Sequence, residues 1–287
     1  MQREILVDGA TPEIRIAVLE DGVLTELFIE RPSGRGLAGN IYKGRVANVL
    51  PGMQSAFVDI GLERHAFLCV EDIAAWKEDD ERLLDLEPAE GTTPHRPQPR
   101  QRPAIEDLVK EGQEIVVQVR KETAAGKGAR ITSHISMPGR LLVYLPGLAR
   151  VGVSRRIEDS EERERLKGLV RDLARNLCPG GGFIVRTAGE GLPAEEFLAD
   201  ARDLAGAWEE IGRRAARRPA PALLHEEAGV VARVLRDLLN QDVRQVLVDA
   251  EEVYLQAVES VGRTQPALAS RVRRHDGSAP IFEEAHL

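Results

Sequence analysis

The chain has 287 residues, 43% hydrophobic and 30% charged, with a formal net charge of −8 at pH 7. That length carries a sizeable core and more than one domain, while the negative charge excludes wholesale electrostatic wrapping of nucleic acid. There is no run of about 18 apolar residues and the N-terminal MQREILVDGA lacks a long apolar segment, so neither a membrane span nor a signal peptide is expected. The cysteines, Cys69 and Cys178, have no metal-type spacing and form no disulfide framework. A cytoplasmic protein is expected.

In chain order, REILVDG, EIRIAVLEDG and VLTELFIERP read as three strands, the last two joined by an Asp21-Gly22 turn. The glycine-rich stretch 31–39 leads into another unit, in which short strands with glycine turns recur from Asn40 to about Ile135 and suggest a small closed barrel. Residues 76–104 interrupt it. That stretch is first acidic and then rich in proline and arginine, with five prolines from Pro88 to Pro103, and is expected to be a disordered insertion.

Beyond the barrel, a helix is expected after Ser160, read as its N-cap, with Leu166, Leu169, Val170, Leu173 and Leu177 on one face. A longer helix follows Pro193 and carries Phe197, Leu204, Trp208 and Ile211 on one face. A third helix is expected over 226–240, a strand at VRQVLVDA and a helix near 250–261. The first three strands and the 243–249 strand are expected to share one mixed sheet, with the intervening units as insertions.

Three places carry chemistry. From Pro138 to Arg156 the chain holds Arg140, Arg150, Arg155 and Arg156 and no acidic residue, a local basic surface suited to a few phosphates. In GGFIVRTAGEGLP, Arg186 and Thr187 end a strand between glycines. A guanidinium fork beside a hydroxyl suits an anion, although an ordinary solvated strand end explains the residues equally well. Asp8, with Asp249 and Glu251 after a later strand, are carboxylates capable of holding magnesium, but acidic residues at strand ends are common. Arg213, Arg214, Arg217 and Arg218 crowd a helix end, as the helix dipole favours. The six histidines are scattered without ligand spacing, so no zinc site is expected.

NIYKGRVANVLPGMQSAFVDIGLERHAFLCVEDI resembles an S1-type RNA-binding domain of the OB fold, in the form found in the ribonuclease E/G family. GVSRRIE, GGFIVRTAGEG, RPAPALLHEE and DGSAPIFEE resemble the same family in the same order. The resemblance implies an α+β chain with a split ribonuclease-H-like mixed-sheet domain over 1–38 and 218–287. It also implies an inserted S1-type OB-fold barrel over 39–136, interrupted at 76–104, and an inserted α/β 5′-sensor subdomain over 137–217.

By that resemblance, Phe57, Phe67, Lys121 and Lys127 contact RNA, with Arg64 and His65 as helpers. Gly139, Val143, Arg155, Arg186 and Thr187 form a 5′-monophosphate pocket in which the glycines leave room for the phosphate. The implied function is RNA binding and 5′-monophosphate sensing in a single-strand-specific endoribonuclease of RNA processing and decay. The resemblance places the catalytic Mg2+ site, the zinc link and the oligomerising domain after Leu287. It therefore implies no catalytic residue and no metal or cofactor in this chain, and a homo-oligomer only in the full-length enzyme. The competing readings are a stand-alone, non-catalytic RNA-binding protein, distinguished by what the gene encodes after Leu287, and a nuclease built on Asp8.

Overall fold

The structure, a computed structural model, describes residues 2–31, 36–73, 86–88, 103–122, 128–277 and 279–287. In chain order, β1 (Arg3–Asp8), β2 (Ile14–Glu20) and β3 (Val23–Glu30) precede β4 (Ile41–Leu50), β5 (Ser55–Asp59), β6 (Ala66–Cys69) and β7 (Leu86–Pro88). A single helical turn, α1 (Ile105–Leu108), leads to β8 (Glu114–Lys121), β9 (Arg130–Thr132), β10 (Met137–Pro138), β11 (Leu142–Leu145) and β12 (Arg150–Val153). Then follow α2 (Ser160–Leu177), β13 (Gly182–Val185), α3 (Ala194–Arg217) and β14 (Ala222–His225). The chain ends with α4 (Val230–Leu238), β15 (Val243–Val248), α5 (Glu251–Thr264), β16 (Val272–Arg274) and α6 (Ile281–Glu284).

Met1–Gly36 and Ala228–Leu287 form one compact unit, and Leu37–Glu227 form another. In the first unit the strand order is β16-β15-β1-β2-β3, with β1 parallel to β15 and antiparallel to β2, as the mixed-sheet expectation requires. Both faces of this sheet are covered, which explains why β1 reads as a continuous apolar run rather than an alternating one. Ile5 and Val7 pack with Val231, Val234, Val253 and Ala257 of α4 and α5. Leu6 packs with Ile281 and Phe282 of α6.

In the second unit β4 pairs with both β5 and β8, so β4, β5, β6, β9 and β8 close into an OB-like barrel. Its interior follows the period of two: Ala56, Val58, Ala66 and Leu68 are fully buried, while Phe57 and Phe67 between them stand on the other face. A second sheet, β10-β11-β13-β12-β7, is covered by α2 and α3, and its core continues into Ile41 of β4 and Leu224 of β14. The protein is therefore a mixed α+β chain containing a closed barrel.

Several boundaries differ from expectation. Residues 218–227, expected in the split domain, instead supply β14, which pairs antiparallel with β4 and belongs to the barrel unit. The long helix α2 is capped by Asp159, whose carboxylate accepts from Glu161 N at 3.0 Å, one residue before the expected Ser160. Either side chain suits a cap, and only Asp159 has the extended backbone that lets it reach. The third helix starts at Val230 rather than 226, because the Glu30 carboxylate accepts from Val230 N at 3.2 Å and supplies a cap from a distant strand. Of the insertion expected at 76–104, the described residues are Leu86–Pro88 and residues 103–104. Leu86–Pro88 forms an edge strand on β12, where a proline is tolerated. The rest of that insertion lies outside the described residues.

Candidate nucleic-acid interface

On the barrel, Phe57 and Phe67 are Cα partners across β5 and β6, and their rings meet edge to face with centroids 5.9 Å apart. Both are half-buried. Aromatic rings on an outer barrel face are chemically suited to stacking on unpaired bases, each stack being worth about 1–3 kcal/mol. Lys121 is exposed at the end of β8, where its Cα partner is Arg130 of β9, and Arg130 is in turn the partner of Phe67. Arg64 and His65 are exposed before β6. Lys127 lies outside the described residues.

A second group gathers at one end of the other sheet. Arg186 closes β13, its backbone N–H donating to Leu141 O at 2.7 Å and its guanidinium to Gly139 O at 2.7 Å. The next residue, Thr187, shares a hydrogen bond with Ser154 across a 2.9 Å gap between hydroxyls, at the end of the parallel neighbour β12. Arg155 follows Ser154 and is exposed. Val143, on β11, is half-buried between its Cα partners Pro138 and Ile184. Gly139, Arg186, Thr187 and Ser154 therefore sit together, bringing two hydroxyls and a guanidinium to one strand end, with Arg155 next in the chain to Ser154.

The order of this surface depends on residues outside the motifs. Asp200 of α3 places its carboxylate in the turn before β11, accepting from the backbone N–H of Arg140, Leu141 and Leu142 at 3.1, 2.9 and 2.9 Å. Three backbone donors form an anion nest, here filled by the protein's own carboxylate. A Cβ at Gly139 would lie 2.6 Å from both Asp200 oxygens, so what approaches this glycine is Asp200. The room at Gly189, expected for a phosphate, is taken by the Phe197 ring, 2.8 Å from where a Cβ would be. Arg163 donates to Ser154 O and Ile157 O at 2.7 and 2.9 Å, holding the turn that carries Arg155. Glu162 accepts from Gly191 N at 2.8 Å. Arg165 first, and this amide second, hold its carboxyl well below the ordinary 4.5, at about 2. Ser154 was visible within GVSRRIE; Asp200, 61 residues beyond Gly139, left no local signal.

The family model described as Ribonuclease E/G family matches residues 136–287, more than half of the chain. The chain belongs to the ribonuclease E/G family. It is 41% identical over 284 residues to Ribonuclease G of Haemophilus influenzae, covering 98% of this chain and 54% of that protein. With Ribonuclease G of Escherichia coli it shares 40% identity over 283 residues, covering 99% of this chain and 55% of that protein. With Ribonuclease E of Escherichia coli the identity is 37% over 291 residues, 100% of this chain and 26% of the relative. The chain thus spans about half the length of the ribonuclease G relatives.

The remaining chemistry-bearing residues of this ribonuclease E/G family chain are Asp8 and Asp249, at the carboxyl ends of the adjacent parallel strands β1 and β15. Asp8 is buried and ion-paired to Arg15, whose Nε lies 2.8 Å from its carboxylate, so a protein cation already neutralises it. Asp249 accepts from Gly9 N at 2.8 Å, and burial, with Asp8 beside it, pushes its carboxyl above the ordinary 3.8. A carboxylate already held by an arginine, beside one whose charged form burial disfavours, is a poor donor set for magnesium. Among the described residues no group of three or more His, Cys, Asp or Glu is placed to hold a metal. No described helix is long and apolar enough to cross a membrane.

Proposed function

We propose that this chain is the RNA-holding and 5′-end-reading part of a ribonuclease E/G-type endoribonuclease that acts on single-stranded RNA in processing and decay. Family membership supports the reaction class. The observation that carries the binding reading is the outward Phe57–Phe67 pair on a closed OB-like barrel. Unpaired bases stack on these rings while Lys121, and in this reading Lys127, meet the backbone phosphates.

The 5′-monophosphate docks where Arg186, Thr187 and Arg155 gather. The guanidinium fork of Arg186, steadied by Gly139 O, faces phosphate oxygens, and Thr187 donates its hydroxyl while Ser154 fixes the rotor. Val143 packs near the terminal nucleotide. Binding at this end positions a distant scissile bond by remote binding energy. The donor set around Asp8 does not fit magnesium, so no metal-dependent step is assigned to the described residues. We read the first unit as ribonuclease-H-like, on the strength of its β3-β2-β1-β15-β16 order, and its role as structural.

The test is equilibrium binding of the same single-stranded RNA with a 5′-monophosphate and with a 5′-hydroxyl. Arg186→Ala is expected to abolish most of the preference, about tenfold or more for a charge-assisted contact, and to leave 5′-hydroxyl binding unchanged. An unchanged ratio overturns the 5′-end reading.

A further inference from the structure

We infer that Arg130 and Arg120, clamped by the buried carboxylate of Asp72, bind the phosphodiester backbone of single-stranded RNA at the edge of the aromatic platform. The inference rests on reading the Phe57–Phe67 face as an RNA surface, and it names the groups on that face that hold the phosphate between stacked nucleotides.

Registration places the arginines there. Arg130 of β9 is the Cα partner of Phe67 in the parallel β6–β9 pair, and side chains that are register partners project to the same face. Their neighbours Leu68 and Ile131, also partners, both point into the core and are fully buried. Arg120 reaches the same place from β8. The register shifts between Val119 and Lys121, and the extra residue at the bulge turns Arg120 to the Asp72 side.

Asp72 is built as an anchor. It is 1% exposed, and its backbone carbonyl accepts from Thr132 Oγ1 at 2.9 Å and Ser133 N at 2.8 Å, so it cannot swing away from β9. One carboxylate oxygen takes Arg120 Nη1 at 2.7 Å and the other takes Arg130 Nε at 2.8 Å. Hydrogen bonding to Asp72 raises the Arg130 pKa still further, so its charge is constant.

Two guanidinium groups converge on the one buried carboxylate, with Glu71 also acting on Arg130 and Lys121 at the neighbouring position of β8. Each guanidinium carries five N–H donors, and the side chains are 43% and 64% exposed for Arg130 and Arg120. Two pre-oriented forks stand on strands registered with the aromatic pair. Their rigidity also lowers the entropy lost on binding.

The experiment titrates the full chain with a 5′-hydroxyl single-stranded RNA of about ten nucleotides over a range of salt, which takes the 5′-phosphate contact out of the measurement. Arg130→Gln retains a donor for Asp72 and removes the charge. It is expected to weaken binding about tenfold and to reduce the magnitude of the log K against log[salt] slope by about 0.7. Arg120→Gln does the same at a more exposed position, and carries the test alone if circular dichroism shows Arg130→Gln unfolded. Asp72→Asn keeps both charges but loosens the clamp, so affinity falls with the slope unchanged. Phe57→Ala weakens binding at constant slope. If both glutamine variants retain wild-type affinity and slope while Phe57→Ala weakens binding, the arginine inference is overturned and the barrel reading stands. If Phe57→Ala also binds as wild type, the RNA face itself is overturned.

Discussion

At the scale of single residues, exposure assigned to each side chain a role that residue type left open. Phe57 and Phe67 sit between fully buried neighbours in SAFVD and AFLC; residue type alone favours a core place for each, and it is the strand pairing that puts them on the face away from the core. Asp249 could not be read this way. A carboxylate after a strand is ordinary until burial beside Asp8 raises its pKa above 3.8. A carboxyl with a raised folded-state pKa favours the protonated fold, so its ionisation costs stability as pH climbs from the ordinary value through the folded one. Asp249→Asn, which keeps an acceptor for Gly9 N, is therefore expected to raise the unfolding midpoint at pH 7. It should also remove the wild-type decline in stability above pH 3.8. Thermal melts across pH check this, and a lower midpoint at pH 7 contradicts it.

At the scale of elements, the helices owe their starts and their neighbours to long-range contacts. The apolar stripe of α2 was legible, since Leu166, Val170 and Leu173 repeat at helical spacing and all enter the core. The use of its first turn was not. Glu162 reaches the loop after Thr187, and with its pKa held at about 2 against an ordinary 4.5 it stays charged wherever the fold is stable. A depressed carboxylate stabilises above its ordinary value and loses that contribution as pH falls from 4.5 toward 2. Glu162→Gln is expected to cost about 1 kcal/mol locally, lowering amide-exchange protection at Gly191 about fivefold at neutral pH. Wild type should show the same loss on acidification through that window. Equal protection in the two proteins at neutral pH rules the contact unimportant.

At the scale of the molecule, the chain leaves the first unit after residue 36 and returns to it at 228. β15 lies between β1 and β16 and draws its central partner from the far end of the sequence. The second unit is continuous from Leu37 to Glu227 and has its own barrel and core. A fragment of residues 37–227 is therefore expected to fold cooperatively by itself. A fragment of 228–287, deprived of β1, should show no cooperative transition. Circular dichroism melts of the two pieces decide this, and a cooperative melt from 228–287 argues against the shared sheet as its source of stability.

The sequence alone determined the strand-rich opening, the short-strand barrel, the apolar faces of the helices and, through its motifs, the family. Each of these is written in residue order, through periodicity or an uninterrupted motif. Only the tertiary structure decided that β14 joins the barrel sheet, that Glu30 caps α4, that Asp200 fills the nest beside Gly139 and that Asp72 gathers Arg120 and Arg130. These pairings join residues many positions apart through single carboxylates or short strand edges. Such contacts leave no repeat in the sequence, because charge and hydrogen bonding act across space without periodicity along the chain.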